Sequence, residues 1–135
     1  MRFVRISTFI DDVKDFYFIS DTGILMSYSN PTNPIQRKFN VDKDGYFVLS
    51  LQKFGGGSNH FRISRLVAMA FVSNPNSYPV VNHKDTNKQY NYYTNLEWCT
   101  VSYNTQHAYD NNLINHGRKK KIKSINLITG EEKNI

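Results

Sequence analysis

Val81-Asn82-His83-Lys84-Asp85-Thr86-Asn87, Asn95-Leu96-Glu97-Trp98-Cys99 and Asn104-Thr105-Gln106-His107 are the three stretches whose reading decides the fold. They predict a strand from Tyr78 to His83, a polar loop from Lys84 to Thr94 and a strand from Leu96 to Thr100. A helix from about Val101 to Asn112 follows, with Thr100 or Ser102 as its cap. Strand, loop, strand and helix make a small ββα unit. In an antiparallel pair the end of the first strand lies near the start of the helix that follows the second. Asn104 and His107 are three residues apart and share a helical face. If that face looks at the hairpin, it meets Asn82 and His83. Neighbours in a regular strand point to opposite faces, so Asn82 and His83 serve one site only if the strand ends or bends there.

Working upstream, Ser64 is expected to cap a helix whose Leu66, Val67, Ala70 and Phe71 form one apolar stripe, ended by Asn74-Pro75-Asn76. That helix is core material without chemistry. The first third reads as short strands: Phe16 to Ser20, then a turn at Asp21-Thr22-Gly23, then Ile24 to Tyr28. Asn30 to Pro34 is a loop by composition. Phe39-Asn40-Val41 is expected to pair with Tyr46 to Leu51 across Asp42-Lys43-Asp44-Gly45. Phe54 to His60 reads as a flexible tip before the short run Phe61-Arg62-Ile63. Its glycines lack a following helix start, so a plain hairpin loop is expected rather than a phosphate cradle. Downstream, Arg118-Lys119-Lys120-Lys121 precedes a final hairpin, Ile122 to Asn126 and Glu131 to Ile135. The expected class is α+β, in three segments. Residues 1–60 form a strand-rich N-terminal module, 61–116 the ββα core, and 117–135 a basic linker with a C-terminal hairpin.

Composition sets the outer limits. The 135 residues suit one compact domain with a small appendage, and 39% hydrophobic with 14% aromatic residues can bury a core. A net charge of +6 and a pI near 9.4 favour a polyanionic partner. The single cysteine, Cys99, excludes an intramolecular disulfide and a cysteine-based zinc cage, and its apolar run makes it a small core residue. Met1 to Ile6 lacks the apolar length of a signal peptide. No run approaches the roughly twenty apolar residues of a membrane span, so no membrane partner and a cytoplasmic location are expected.

The chemistry of the opening stretches follows from residue type. A neutral imidazole at His83 can take a proton from a water molecule near pH 7. Side-chain amide oxygens can ligate a hard cation such as Mg²⁺, though less strongly than a carboxylate, which carries charge. Taken without further context, a histidine in a polar loop is more often a surface residue than a base. Asp85, Asn87 and Asn91 have turn-forming side chains suited to organising the loop.

The run from Asn82 through Lys88, with Asn91, Asn95 to Thr100, Asn104 and His107-Ala108, resembles the HNH motif of phage homing-type endonucleases. Arg65 to Phe71 with Asn74-Pro75 is similar to the helix that precedes this motif. Phe18 to Gly23 resembles the nuclease-associated modular repeat at the N-terminus of such enzymes, and Ile122 to Ile135 looks like the start of another module. Together these cover most of the chain. The resemblance implies a metal-dependent endonuclease that hydrolyses phosphodiester bonds in double-stranded DNA, by nicking or double-strand cutting. It places His83 at the general base and Asn82 and Asn104 at the ligands of one Mg²⁺ or Mn²⁺. Asn95 corresponds to the middle residue of the motif, which holds the loop by hydrogen bonds. Asp85, Asn87 and Asn91 look like loop organisers, and His107 matches a histidine frequent near the site.

Two departures carry consequences. Asn82 stands where well-studied members have Asp, which removes a negative charge and predicts weak Mg²⁺ affinity. Ser64 stands where relatives often carry His, with a structural effect expected. Relatives commonly continue into a helix-turn-helix, whereas this chain stops at Ile135, so that reading element is expected to be absent. The competing expectation is an HNH-scaffold DNA-binding protein with little or no cleavage; a remoter one is a basic interaction module. Candidate phosphate contacts, which position without specifying sequence, are Arg37, Lys38, Lys53, Arg62, Arg65, Lys84, Lys88 and Arg118, Lys119, Lys120 and Lys121.

Overall fold

The computed structural model describes residues 1–111, and the chain divides into two compact units, Met1–Trp98 and Cys99–Ile135. The first unit opens with strands β1 (Phe3–Arg5), β2 (Tyr17–Ser20), β3 (Leu25–Ser27) and β4 (Ile35–Gln36), which form one antiparallel sheet in that order. A second sheet holds β5 (Asn40–Val41), β6 (Phe47–Gln52) and β7 (Ser58–Arg62). Helix α1 (Ile63–Phe71) follows directly, and then β8 (Val80–His83) pairs with β9 (Leu96–Cys99). In the second unit, helix α2 spans Val101–Asp110. The architecture is α+β.

Side-chain alternation explains the strands. Tyr17 and Ile19 of β2 are buried while Phe18 lies half-buried on the other face, and Leu49 and Leu51 alternate in the same way along β6. α1 presents Ile63, Leu66 and Val67 on one face. These residues, with Ile6, Val13, Leu25, Ala68 and Leu96, make one buried cluster to which both larger sheets, α1 and the start of β9 contribute. Each fully buried aliphatic side chain stabilises this core by roughly 1.5–3 kcal/mol. Polar cross-links fix the layers: the Gln52 N–H donates to the Tyr17 hydroxyl at 3.2 Å, and Trp98 Nε1 donates to the Val72 carbonyl at 3.1 Å. Cys99 is buried, as expected of a small core residue.

Three local expectations are corrected. The flexible tip read from Phe54 to His60 is much shorter, because Ser58, Asn59 and His60 belong to β7 and pair with Gln52, Leu51 and Ser50. Their exposed polar side chains carry no alternation signal, and the backbone ladder alone makes the strand. Only the turn around Gly56 and Gly57, both at positive φ, remains as loop. Ser64 is not the helix cap: α1 begins at Ile63 with Arg62 in extended conformation and no side-chain cap, and Ser64 is buried in the first turn. Burial of Ile63 anchors that turn two residues early. Strands β1 and β4 escaped the reading because each offers only two or three residues, largely exposed.

The cap of α2 is Thr100, whose Oγ1 accepts from the Tyr103 N–H at 3.0 Å. The expected helix end at Asn112, the basic run Arg118 to Lys121 and the C-terminal hairpin lie outside the described residues. Among the described residues, no helix is long and apolar enough to cross a membrane.

One turn matters for the site. Gly23, between β2 and β3, has φ +87°, and a Cβ built there would lie 3.0 Å from the Asn91 Cβ. The Tyr93 N–H donates to the Asp21 carbonyl at 2.9 Å, which holds the turn against the loop. Gly56 has a similar φ of +93° but nothing within 4 Å of such a Cβ. Gly23→Ala is therefore expected to cost about 2–4 kcal/mol, from backbone strain plus overpacking. Gly56→Ala carries only the strain, about 1–2 kcal/mol. Urea unfolding of the two variants checks this; equal losses would mean that the Asn91 contact is loose.

Candidate active site

The β8–β9 hairpin builds the site from backbone pairing. The Lys84 N–H donates to the Asn95 carbonyl at 2.8 Å. Asn82 and Glu97 meet side chain to side chain, with Asn82 Nδ2 donating to Glu97 Oε2 at 2.7 Å. These two contacts step in opposite senses along the chain, as antiparallel strands require. Asn82 and Glu97 are thus directly opposed.

β8 ends at His83, and the chain turns at once: the Thr86 N–H donates to the His83 carbonyl at 3.0 Å, and Thr86 takes φ +69°. That ending is the condition under which neighbours Asn82 and His83 can both belong to one region. Their side chains still have different partners. His83 is 4% exposed, and its Nε2 lies 2.8 Å from Asn91 Oδ1. An amide oxygen can only accept, so Nε2 carries the hydrogen and the neutral ring keeps its lone pair on Nδ1. The Tyr46 ring packs at 5.8 Å between centroids.

Burial pushes the His83 pKa below its ordinary 6.5. The Asn91 hydrogen bond and the Asp85 charge oppose this, while the charges of Arg62 and Lys88 add to it. The imidazole is neutral at pH 7.

Asp85 and Asn95 hold the loop shut through a reciprocal pair. The Asp85 N–H donates to Asn95 Oδ1 at 3.1 Å, and Asn95 Nδ2 returns a bond to Asp85 Oδ1 at 2.9 Å. Asn95 Nδ2 also donates to the Tyr90 carbonyl at 2.9 Å. The Asn87 N–H reaches Asp85 Oδ1 at 2.8 Å, and the Gln89 N–H reaches Asn87 Oδ1 at 3.1 Å. Burial pushes the Asp85 carboxyl up, but its bonds from Asn87 and Asn95 and the nearby His83 bring it below the ordinary value. From outside the loop, Lys88 Nζ donates to the Asp44 carbonyl at 2.8 Å, so the β5–β6 turn braces it.

The remaining candidates divide. Asn104 and His107 lie on α2, in the second unit, both half-buried; Tyr103 and His107 stack at 6.3 Å. Arg62 pairs with Asp42 at 3.3 Å and Asp44 at 3.5 Å and lies over the Tyr46 ring at 3.8 Å. Arg65 donates to the Pro79 carbonyl at 2.9 Å and lies over Trp98. Lys53 pairs with Asp12 at 3.9 Å, and Arg37 reaches the Ser50 carbonyl at 3.5 Å. Lys38 and Lys84 are exposed. Two residues at the site were not singled out from sequence: Glu97 and Tyr46. Hairpin register would have found Glu97, since pairing the two strand ends across the loop sets it opposite Asn82. Tyr46 reaches His83 from the β5–β6 turn, which no local pattern signals.

Within the first unit, oxygens able to hold a cation are those of the Asn82 amide and of the Glu97 carboxylate against it. Such hard donors suit Mg²⁺ or Mn²⁺. Among the described residues no group of three or more His, Cys, Asp or Glu could hold a metal ion.

The order strand, loop, strand and helix, with a buried histidine at the end of the first strand, is the arrangement that the sequence resemblance implied, and comparison with known proteins identifies the class. The chain is 49% identical over 67 residues to an uncharacterized HNH endonuclease of Acanthamoeba polyphaga mimivirus, covering 50% of this chain and 20% of that protein. A second uncharacterized HNH endonuclease of the same virus is 38% identical over 118 residues, 86% of this chain and 28% of its own length. DNA endonuclease I-HmuI of Bacillus phage SP01 is 33% identical over 117 residues, 84% of this chain and 65% of that enzyme. A solved structure concerned with DNA binding and cleavage by the HNH homing endonuclease I-HmuI matches with a TM-score of 0.69 at 32% identity. That match covers 85% of this chain and 62% of the other. No family profile matches the chain. The chain is a homologue of the HNH endonucleases and shares the I-HmuI fold over the matched residues. It spans 20%, 28% and 65% of the lengths of these three relatives.

The His83 shift has a measurable sign. The unfolded chain takes up a proton near 6.5, whereas the folded chain resists it. Stability carried by neutral His83 is complete above pH 6.5 and is lost as pH falls from there through the folded value. A proton NMR titration is expected to place the His83 midpoint below 6.5, with urea stability declining below that pH. A midpoint at or above 6.5 would contradict the burial argument.

Proposed function

We propose that this chain is a metal-dependent endonuclease that hydrolyses phosphodiester bonds of double-stranded DNA, with His83 as general base and one Mg²⁺ or Mn²⁺ ion. The observation that carries this is the buried His83, whose Nε2–H is held by Asn91 while Nδ1 keeps the lone pair. The homologous I-HmuI, an HNH homing endonuclease, supports the same reading. Nδ1 takes a proton from water as the water oxygen attacks phosphorus. The bond from phosphorus to the 3′ oxygen breaks, and that oxygen takes a proton from solvent while His83 later returns its own to solvent, leaving a 5′ phosphate and a 3′ hydroxyl. Asn91 fixes the ring and its tautomer, a role that matters because the wrong tautomer has no base to offer. Asn82 and Asn104 are the proposed ligands. A bound cation would neutralise the scissile phosphate and stabilise the leaving oxygen. Asp85, Asn87 and Asn95 keep the loop in the shape that presents His83; His107 is assigned beside the site.

DNA is the proposed partner, with Lys38 and Lys84 as the exposed phosphate contacts and Arg37, Lys53, Arg62, Arg65 and Lys88 contributing charge beside their internal partners. On this reading residues 1–60 form a strand-rich binding module ahead of the nuclease core at 61–116.

His83→Ala is expected to abolish nicking of supercoiled plasmid in Mg²⁺ or Mn²⁺, a loss of about 10²–10⁴-fold, while DNA binding persists. Wild type that binds DNA and nicks no plasmid with either ion would favour the binding-only scaffold that a neutral Asn82 suggests. Affinity for a duplex should also fall with salt, with a log–log slope of about −0.9 per phosphate contacted. A flat response between low and physiological salt would remove the proposed basic footprint.

A further inference from the structure

We infer that Glu97 is the acidic half of the cation site, a positioning residue that orients the Asn82 amide and supplies the negative charge that Asn82 lacks. The inference rests on the metal-dependent reading above. An ionised carboxylate only accepts hydrogen bonds, so the 2.7 Å contact requires Asn82 to present Nδ2 to Glu97. The amide is planar with its two heavy atoms on opposite arms. Fixing Nδ2 therefore fixes Oδ1 on the side away from Glu97, as the one atom of this side chain that can ligate a cation. Carboxylates that hold a ligating group in this way tune metal affinity as well as geometry.

Position and charge both favour this role. Asn82 and Glu97 are directly opposed on β8 and β9, so backbone pairing brings them together rather than a chance rotamer. Asn82 is 6% exposed and Glu97 half-buried, so the charge acts through little water. No salt bridge among the described residues engages Glu97. Among the described residues, the hydrogen-bond partner of its carboxylate is the neutral Asn82 amide. A cation bound at Asn82 Oδ1 meets that field, which compensates for the amide at position 82.

The test uses the full chain and Mn²⁺ alone, with free Mn²⁺ followed by electron paramagnetic resonance and folding verified by circular dichroism. Glu97→Gln keeps the shape and removes the charge, and is expected to weaken Mn²⁺ binding by about 10–100-fold. Adding Asn82→Asp to Glu97→Gln moves the charge to position 82 and should return affinity to within about threefold of wild type, since a carboxylate then ligates directly. A merely structural Glu97 would not be rescued this way. Unchanged affinity in Glu97→Gln, or failure of the folded double variant to recover, overturns the inference and leaves the nuclease reading in place. Wild type that binds no Mn²⁺ removes the metal-dependent reading and this inference together.

Discussion

The loop between β8 and β9 has no aliphatic side chain with which to fold itself, and the Asn95 amide closes it. One side chain accepts from the Asp85 N–H and donates to both the Asp85 carboxylate and the Tyr90 carbonyl. Because Asn95 is buried, each of those bonds is expensive to lose: a buried polar group left unpaired costs about 1–3 kcal/mol. Closure at this point sets the strand register behind it. Register then decides that Asn82 faces Glu97 and that His83 falls at the strand end, where the backbone can turn. The geometry of the site is thus inherited from a polar clasp rather than from the hydrophobic core.

The core contributes differently. Ile63, Leu66 and Val67 seat α1 against two sheets, and Leu96 ties the start of β9 into the same cluster. Trp98 extends that anchorage by its bond to the Val72 carbonyl. The result is a hairpin with one strand rooted in apolar packing and a loop held by hydrogen bonds. The imidazole itself lies against the Tyr46 ring; its burial lowers its pKa, and Asn91 sets its tautomer.

How much of this was legible in the sequence varied with the kind of force involved. The β8–β9 hairpin, α1 and α2 follow from periodicity and capping, because local patterning controls them. Thr100 as a cap is a local interaction and was readable, whereas Ser64 was misassigned because burial of Ile63 outweighed a capping preference. β7 was hidden because its pairing is made by backbone groups that every residue carries. The polar residues of the site could be named from their spacing and family resemblance. Their partners could not: Tyr46 and Gly23 approach the His83 loop from turns far along the chain. Glu97 is the intermediate case, since it looked like one more charged residue until the hairpin register placed it.

The close approach at Gly23 has a consequence for how this chain can be divided. Asn91, which holds the imidazole, is itself backed by a turn of the first sheet with no room for a side chain between them. The smallest fragment that keeps the imidazole supported therefore begins well before the ββα elements and must include β2, β3 and the turn joining them. A hairpin and helix excised from this chain would carry every residue of the motif and still lack the wall against which its histidine is set.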